Sequence, residues 1–95
     1  MKTEEFIPID VVKMPDTIKS GLLYISEEYG ISCHLCPCGC GKEVYLTFPE
    51  KEINGKILGW NMAYNFGKVT FRPSVGNAFK CRSHYYITNN KIEWI

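Results

Sequence analysis

Three cysteines alternate with proline and glycine in Cys36-Pro37-Cys38-Gly39-Cys40-Gly41, and no other stretch restricts the fold of this chain as strongly. Thiolates that share one zinc ion must each approach to about 2.3 Å, which demands a tight turn with its sulfurs pointing inward. Gly39 and Gly41 permit that turn because glycine reaches positive φ without a steric penalty, and Pro37 stiffens the entry. A second half-site stands far downstream in Cys81-Arg82-Ser83-His84, where a cysteine and a histidine are three apart, as in zinc-binding sequences. Joined by one ion, the two halves would close a small fold.

Two ligand sets fit the spacing. Cys36, Cys38, Cys40 and Cys81 form a closed all-thiolate set, which is the favoured one. Cys33-x-x-Cys36 with Cys81-x-x-His84 has the more regular intervals, and His34 or His84 could replace a thiolate in either set. The expected cofactor is zinc in a structural role, since closed cysteine sets mark structural sites. The plain alternative is a group of buried free cysteines or disulfides.

At 95 residues the chain suits one domain with a modest core, and a core of that size gains from a metal staple. The net charge of +1, from 11 basic and 10 acidic side chains, lacks the electrostatic footprint of a phosphate-gripping protein, so nucleic acid is an unlikely partner. Residues 1–12 are acidic and interrupted by Pro8 and Asp10, with no apolar run suited to a signal peptide or membrane span. The expectation is a cytoplasmic protein without a membrane partner, in which five cysteines bind metal or react rather than form a disulfide framework.

The remaining pattern is mainly β. Phe6 to Val12 alternates as a strand, and Leu22–Ser26 and Ile31–Leu35 form a hairpin around Glu27-Glu28-Tyr29-Gly30 that delivers the cysteine turn. Glu43 to Phe48 is a further strand. Asn54-Gly55 is a strong hairpin signal, flanked by charges from Glu50 to Lys56. Ile57 to Asn61 and Lys68 to Arg72 read as strands, Arg72 to Asn77 as a loop, and His84–Thr88 with Lys91–Trp94 as a hairpin across Asn89-Asn90. The expected architecture is a single domain over residues 1–95, an antiparallel sheet or open barrel built from hairpins. Residues 1–20 would be a peripheral strand and turn, and residues 21–95 the core.

His34-Leu35-Cys36-Pro37-Cys38-Gly39-Cys40-Gly41, Arg72-Pro73-Ser74-Val75-Gly76-Asn77, Cys81-Arg82-Ser83-His84-Tyr85-Tyr86-Ile87 and Glu93-Trp94 together resemble a small bacterial family of unknown-function domains. That family occurs in operons beside ubiquitin-like proteins and their activating-enzyme-like, conjugating-enzyme-like and metalloprotease-like companions. The resemblance runs from about Gly21 onward. It departs at Cys33, where the family has an ordinary apolar residue, and at Glu50 to Lys56, which is longer than the family pattern.

The resemblance implies a role in ubiquitin-like conjugation, as a peptidase that trims the modifier or removes it from targets. The implied partners are the ubiquitin-like protein or its conjugates, and activating- or conjugating-enzyme-like proteins. Acyl hydrolysis needs a nucleophile, a base in hydrogen-bond reach and donors for the oxyanion. With four thiolates on zinc, Ser74, Ser83, His84 and His34 remain as candidates. Ser83 and His84 are adjacent and would face opposite sides of a strand, so Ser83 with His34 or Ser74 with His84 is the easier pair. Ser74, in its expected loop before Val75-Gly76-Asn77, would sit beside N–H groups able to form an oxyanion site. The milder roles are a turn-capping or thiolate-bonding hydroxyl for either serine and a zinc ligand or packed ring for His84. A cysteine nucleophile, or a catalytic zinc with His84 or Glu43 as base, ranks below serine chemistry. Trp60, Phe71, Phe79, Tyr85, Tyr86 and Trp94 read chiefly as core, with a peptide groove as the alternative. The competing function is a non-catalytic zinc module that binds the ubiquitin-like protein or a pathway enzyme.

Overall fold

Paired residues at positive φ fold much of this chain into hairpins. In the computed structural model, which describes residues 2–76 and 81–95, Asn54-Gly55 (φ 52° and 78°), Phe66-Gly67 (52° and 75°) and Asn89-Asn90 (49° and 72°) each form a two-residue turn. Two successive positive φ values match the twist of the flanking strands. The strands in chain order are β1 (Ile7–Asp10), β2 (Leu22–Ser26), β3 (Ile31–Leu35), β4 (Glu43–Thr47), β5 (Lys51–Ile53), β6 (Lys56–Leu58), β7 (Asn61–Asn65), β8 (Lys68–Gly76), β9 (His84–Thr88) and β10 (Lys91–Trp94). No helix occurs among the described residues.

The expected mainly antiparallel β domain is what the chain forms. One four-stranded sheet has the order β1-β2-β3-β4, another β10-β9-β8-β7, and β5-β6 stand apart as a ribbon. Only β1 and β2 pair in parallel among the described strands, which the 11–21 connection allows by crossing over. Two sequence assignments shift. The run from Ile57 to Asn61 breaks at Gly59, so β7 starts at Asn61 and turns at Phe66-Gly67, where a phenylalanine at positive φ offers no sequence signal. Arg72 to Gly76 continues β8 rather than forming a loop, despite Pro73.

Both larger sheets contribute to one core. Leu23, Ile25, Val44 and Leu46 meet Val69, Phe71, Val75, Tyr85 and Ile87, and the amino-terminal Phe6 is buried with them. Phe6 is held by its N–H donating to the Asn90 carbonyl (2.8 Å), while Asn90 uses its side-chain oxygen to accept the Val69 N–H (2.8 Å). A smaller cluster of Ile18, Tyr24 and Cys33 covers the outer side of β2 and β3, joined by Val11, Met14 and Leu35. Of the aromatics weighed for a groove, Phe71 and Tyr85 are core, Trp60 and Tyr86 are half-buried, and Trp94 packs its exposed ring against Tyr85. Phe79 lies outside the described residues.

Candidate active site and cysteine cluster

The turn after β3 does what its glycines allow. Pro37–Cys40 turns back with the Gly39 N–H donating to the Cys36 carbonyl (3.1 Å), and Gly39 and Gly41 take φ of 91° and 84°. This carries Cys36, Cys38 and Cys40 from one sheet towards Cys81, which precedes β9 of the other. All four sulfurs lie within 4.8 Å of one another. Cys36 is 3.4 Å from Cys38 and 3.8 Å from Cys81, and Cys40 is 3.7 Å from Cys81. A tetrahedral set of thiolates at 2.3 Å from zinc has sulfur–sulfur edges of about 3.8 Å, so the donor set and its spacing fit one metal ion. Cys33 is not among them. It is one residue from His34 on a pleated strand, faces the opposite way and packs in the Ile18–Tyr24 cluster.

The Ser83 hydroxyl is buried against this cluster, 3.3 Å from Cys36 Sγ and 3.4 Å from Cys81 Sγ. It holds Cys38 down, to about 6, and likewise lowers Cys81, whereas burial pushes Cys36 up to about 12. Ser83 therefore bonds thiols and does not pair with His34.

Ser74 and His84 meet where β8 pairs with the start of β9. Between the pairs Phe71↔Ile87 and Val75↔Tyr85, β8 advances four residues while β9 advances two, which makes a bulge containing Pro73 and Ser74. Proline suits such a place because it has no N–H to contribute to a ladder, and bulges re-aim side chains. His84 pairs with Gly76, and a β-carbon at Gly76 would lie 3.6 Å from His84 Cδ2, so the ring rests over a position without a side chain. From there His84 Nε2 reaches Ser74 Oγ at 2.7 Å. Trp60 braces the bulge by donating its indole N–H to the Ser74 carbonyl (3.3 Å). Ser74 is half-buried and His84 exposed, so the pair is open to solvent. Val75 and Gly76, expected in an oxyanion loop, are strand residues, and Asn77 lies outside the described residues.

The remaining candidates sit elsewhere. Glu43 accepts a hydrogen bond from the Tyr45 hydroxyl (2.7 Å). His34 is fully buried, shares a hydrogen bond with the Tyr85 hydroxyl (2.7 Å) and packs against Phe6, while its Nδ1 has no partner. Burial lowers its pKa to about 3 from 6.5. The unfolded chain takes up a proton near pH 6.5 and the folded chain only near 3, so this imidazole favours unfolding progressively as pH falls through that window and is neutral in effect above it. Stability measured by denaturant titration should fall by up to about 1.4 kcal/mol per pH unit from this group. The slope should lessen by that amount in His34→Gln, and an unchanged slope would show that His34 is not the acid-sensitive group.

The geometry defines a two-sheet β domain that carries a serine–histidine pair and a four-cysteine cluster able to hold a metal ion, with His84 of the one three residues after Cys81 of the other. The chain belongs to the family described as the bacterial ubiquitination-like system serine protease (BubE), whose model matches residues 10–95. No curated protein and no solved structure matches it significantly.

Proposed function

We propose that this domain is a serine-type peptidase that processes or removes the modifier of a bacterial ubiquitin-like conjugation pathway, with Ser74 as nucleophile and His84 as base. The observation that carries this reading is the 2.7 Å contact between Ser74 Oγ and His84 Nε2 at an accessible surface. The family description supplies the pathway and the serine class.

In this mechanism Ser74 Oγ attacks the carbonyl carbon of the modifier's tail while His84 Nε2 takes the hydroxyl proton. The bond to the leaving group breaks as His84 returns that proton to it, leaving the tail esterified to Ser74. Water, deprotonated by His84, then releases the acid and restores the serine. Cys36, Cys38, Cys40 and Cys81 would hold a structural zinc ion that ties the two sheets together near the pair. Thiolates of this kind persist in a reducing cytoplasm, which is the proposed location. The modifier or its conjugates are the direct partners, and activating- or conjugating-enzyme-like proteins share the pathway.

A fluorophosphonate probe tests the nucleophile, because Ser74 Oγ would form a bond to phosphorus as fluoride leaves. Peptide mapping by mass spectrometry should place the adduct on Ser74. Modification confined to another residue would overturn Ser74 as the nucleophile, and pull-down of the ubiquitin-like protein without labelling or cleavage would favour a binding module instead.

A further inference from the structure

Ser83 bonds the cysteine cluster and directly precedes His84, and the reading above gives it no part in the reaction. Its neighbours Cys81, Arg82 and His84 are exposed, yet Ser83 is 7% exposed and turned inward. Arg82 makes this possible by taking a φ of 47°, which kinks the chain between Cys81 and Ser83. The hydroxyl then reaches sulfurs from both sheets at once, Cys36 from the β3–β4 turn and Cys81 ahead of β9. The next residue is His84, the first of β9, whose carbonyl accepts the Ile95 N–H (3.0 Å) and whose ring lies over Gly76. Among the described residues, Ser83 is thus the contact with the cluster that is nearest in the chain to the imidazole.

We propose that Ser83 is a positioning residue that fixes the start of β9 to the four-cysteine cluster, so that ion capture by the cluster sets the Ser74–His84 hydrogen bond. The proposal rests on the metal and dyad assignments above. Its physical basis is the short lever. One peptide unit links Ser83 to His84, and a displacement of the imidazole by an ångström is enough to slow a proton transfer strongly. A bound ion would keep Cys36 and Cys81 as thiolates, both able to accept from the Ser83 hydroxyl that lies 3.3 and 3.4 Å from their sulfurs. Removing the ion would remove that constraint on the hydroxyl.

The test compares wild type, Ser83→Ala and Ser83→Thr, each supplied with zinc, by zinc content, rate of fluorophosphonate labelling at Ser74 and NMR of the His84 ring. Ser83→Ala should keep one ion per chain and label roughly 10- to 100-fold more slowly. Ser83→Thr, which keeps the hydroxyl, should recover most of the rate. The His84 ring signals should move in Ser83→Ala and return in Ser83→Thr, while those of the Asn89-Asn90 turn stay in place. A Ser83→Ala protein with wild-type labelling and ring signals overturns the proposal, as does one that binds no ion.

If wild type itself never labels at Ser74, the nucleophile assignment fails, and the ring signals still decide the role of Ser83. Should Ser83→Ala not fold, graded chelation of wild type replaces it. His84 ring signals that move before the Leu23 and Ile25 methyls support the tie, and signals that move only with those methyls refute it.

Discussion

Ser74→Ala should lower hydrolysis of a ubiquitin-like tail by on the order of 10³-fold or more, with folding and metal content unchanged. The side chain is half-buried in a bulge at the sheet surface, and its hydroxyl bonds only His84 among the described side chains, so its removal leaves no buried group unpaired. His84→Ala should cost a comparable factor. The double variant should be little worse than either single one, because a nucleophile without its base and a base without its nucleophile fail at the same step. Ser83→Ala should differ in kind, slowing the reaction while leaving the nucleophile in place. Steady-state cleavage of the precursor by each variant makes the comparison. Full activity in Ser74→Ala would remove the proposed mechanism.

The second large effect concerns the cysteines. Cys36→Ala should abolish metal binding and destabilise the domain by several kcal/mol, because metal affinity in a small domain is folding free energy. At about 4–8 °C per kcal/mol for a domain of this size, the thermal midpoint should fall by roughly 15 °C or more. Treating wild type with a strong chelator should reproduce the loss. Cys33→Ala is the contrasting variant. Its sulfur packs with Ile18 and Tyr24 on the outer side of the sheet, so the chain should keep its ion and lose only the packing of one small side chain. Elemental analysis with calorimetry separates the two outcomes, and an ion lost from Cys33→Ala would restore the competing ligand set.

Much of the architecture was legible because its causes are local. Asn54-Gly55 and Asn89-Asn90 accept positive φ, and alternation along Glu43–Thr47 and His84–Thr88 states which side chains share a face. The turn at Phe66-Gly67 was not legible, since phenylalanine does not favour the conformation its neighbours impose. Pro73 suggested a loop, and tertiary pairing made it a bulge inside a strand instead. That difference matters for the proposed chemistry, because the bulge brings Ser74 beside His84.

By itself, then, the order of residues determined a mainly β chain and a turn built to gather sulfurs, and the resemblance narrowed the candidate nucleophiles and bases to a few serines and histidines. The first two follow from preferences of a few consecutive residues. Only the tertiary structure decided that Cys81 joins Cys36, Cys38 and Cys40, that Cys33 faces away, that Ser83 bonds thiols and that His84 reaches Ser74. Those choices depend on which face of each strand turns inward and on how two sheets register against each other. Burial and pairing between residues far apart in the chain set both, and local pattern leaves them open.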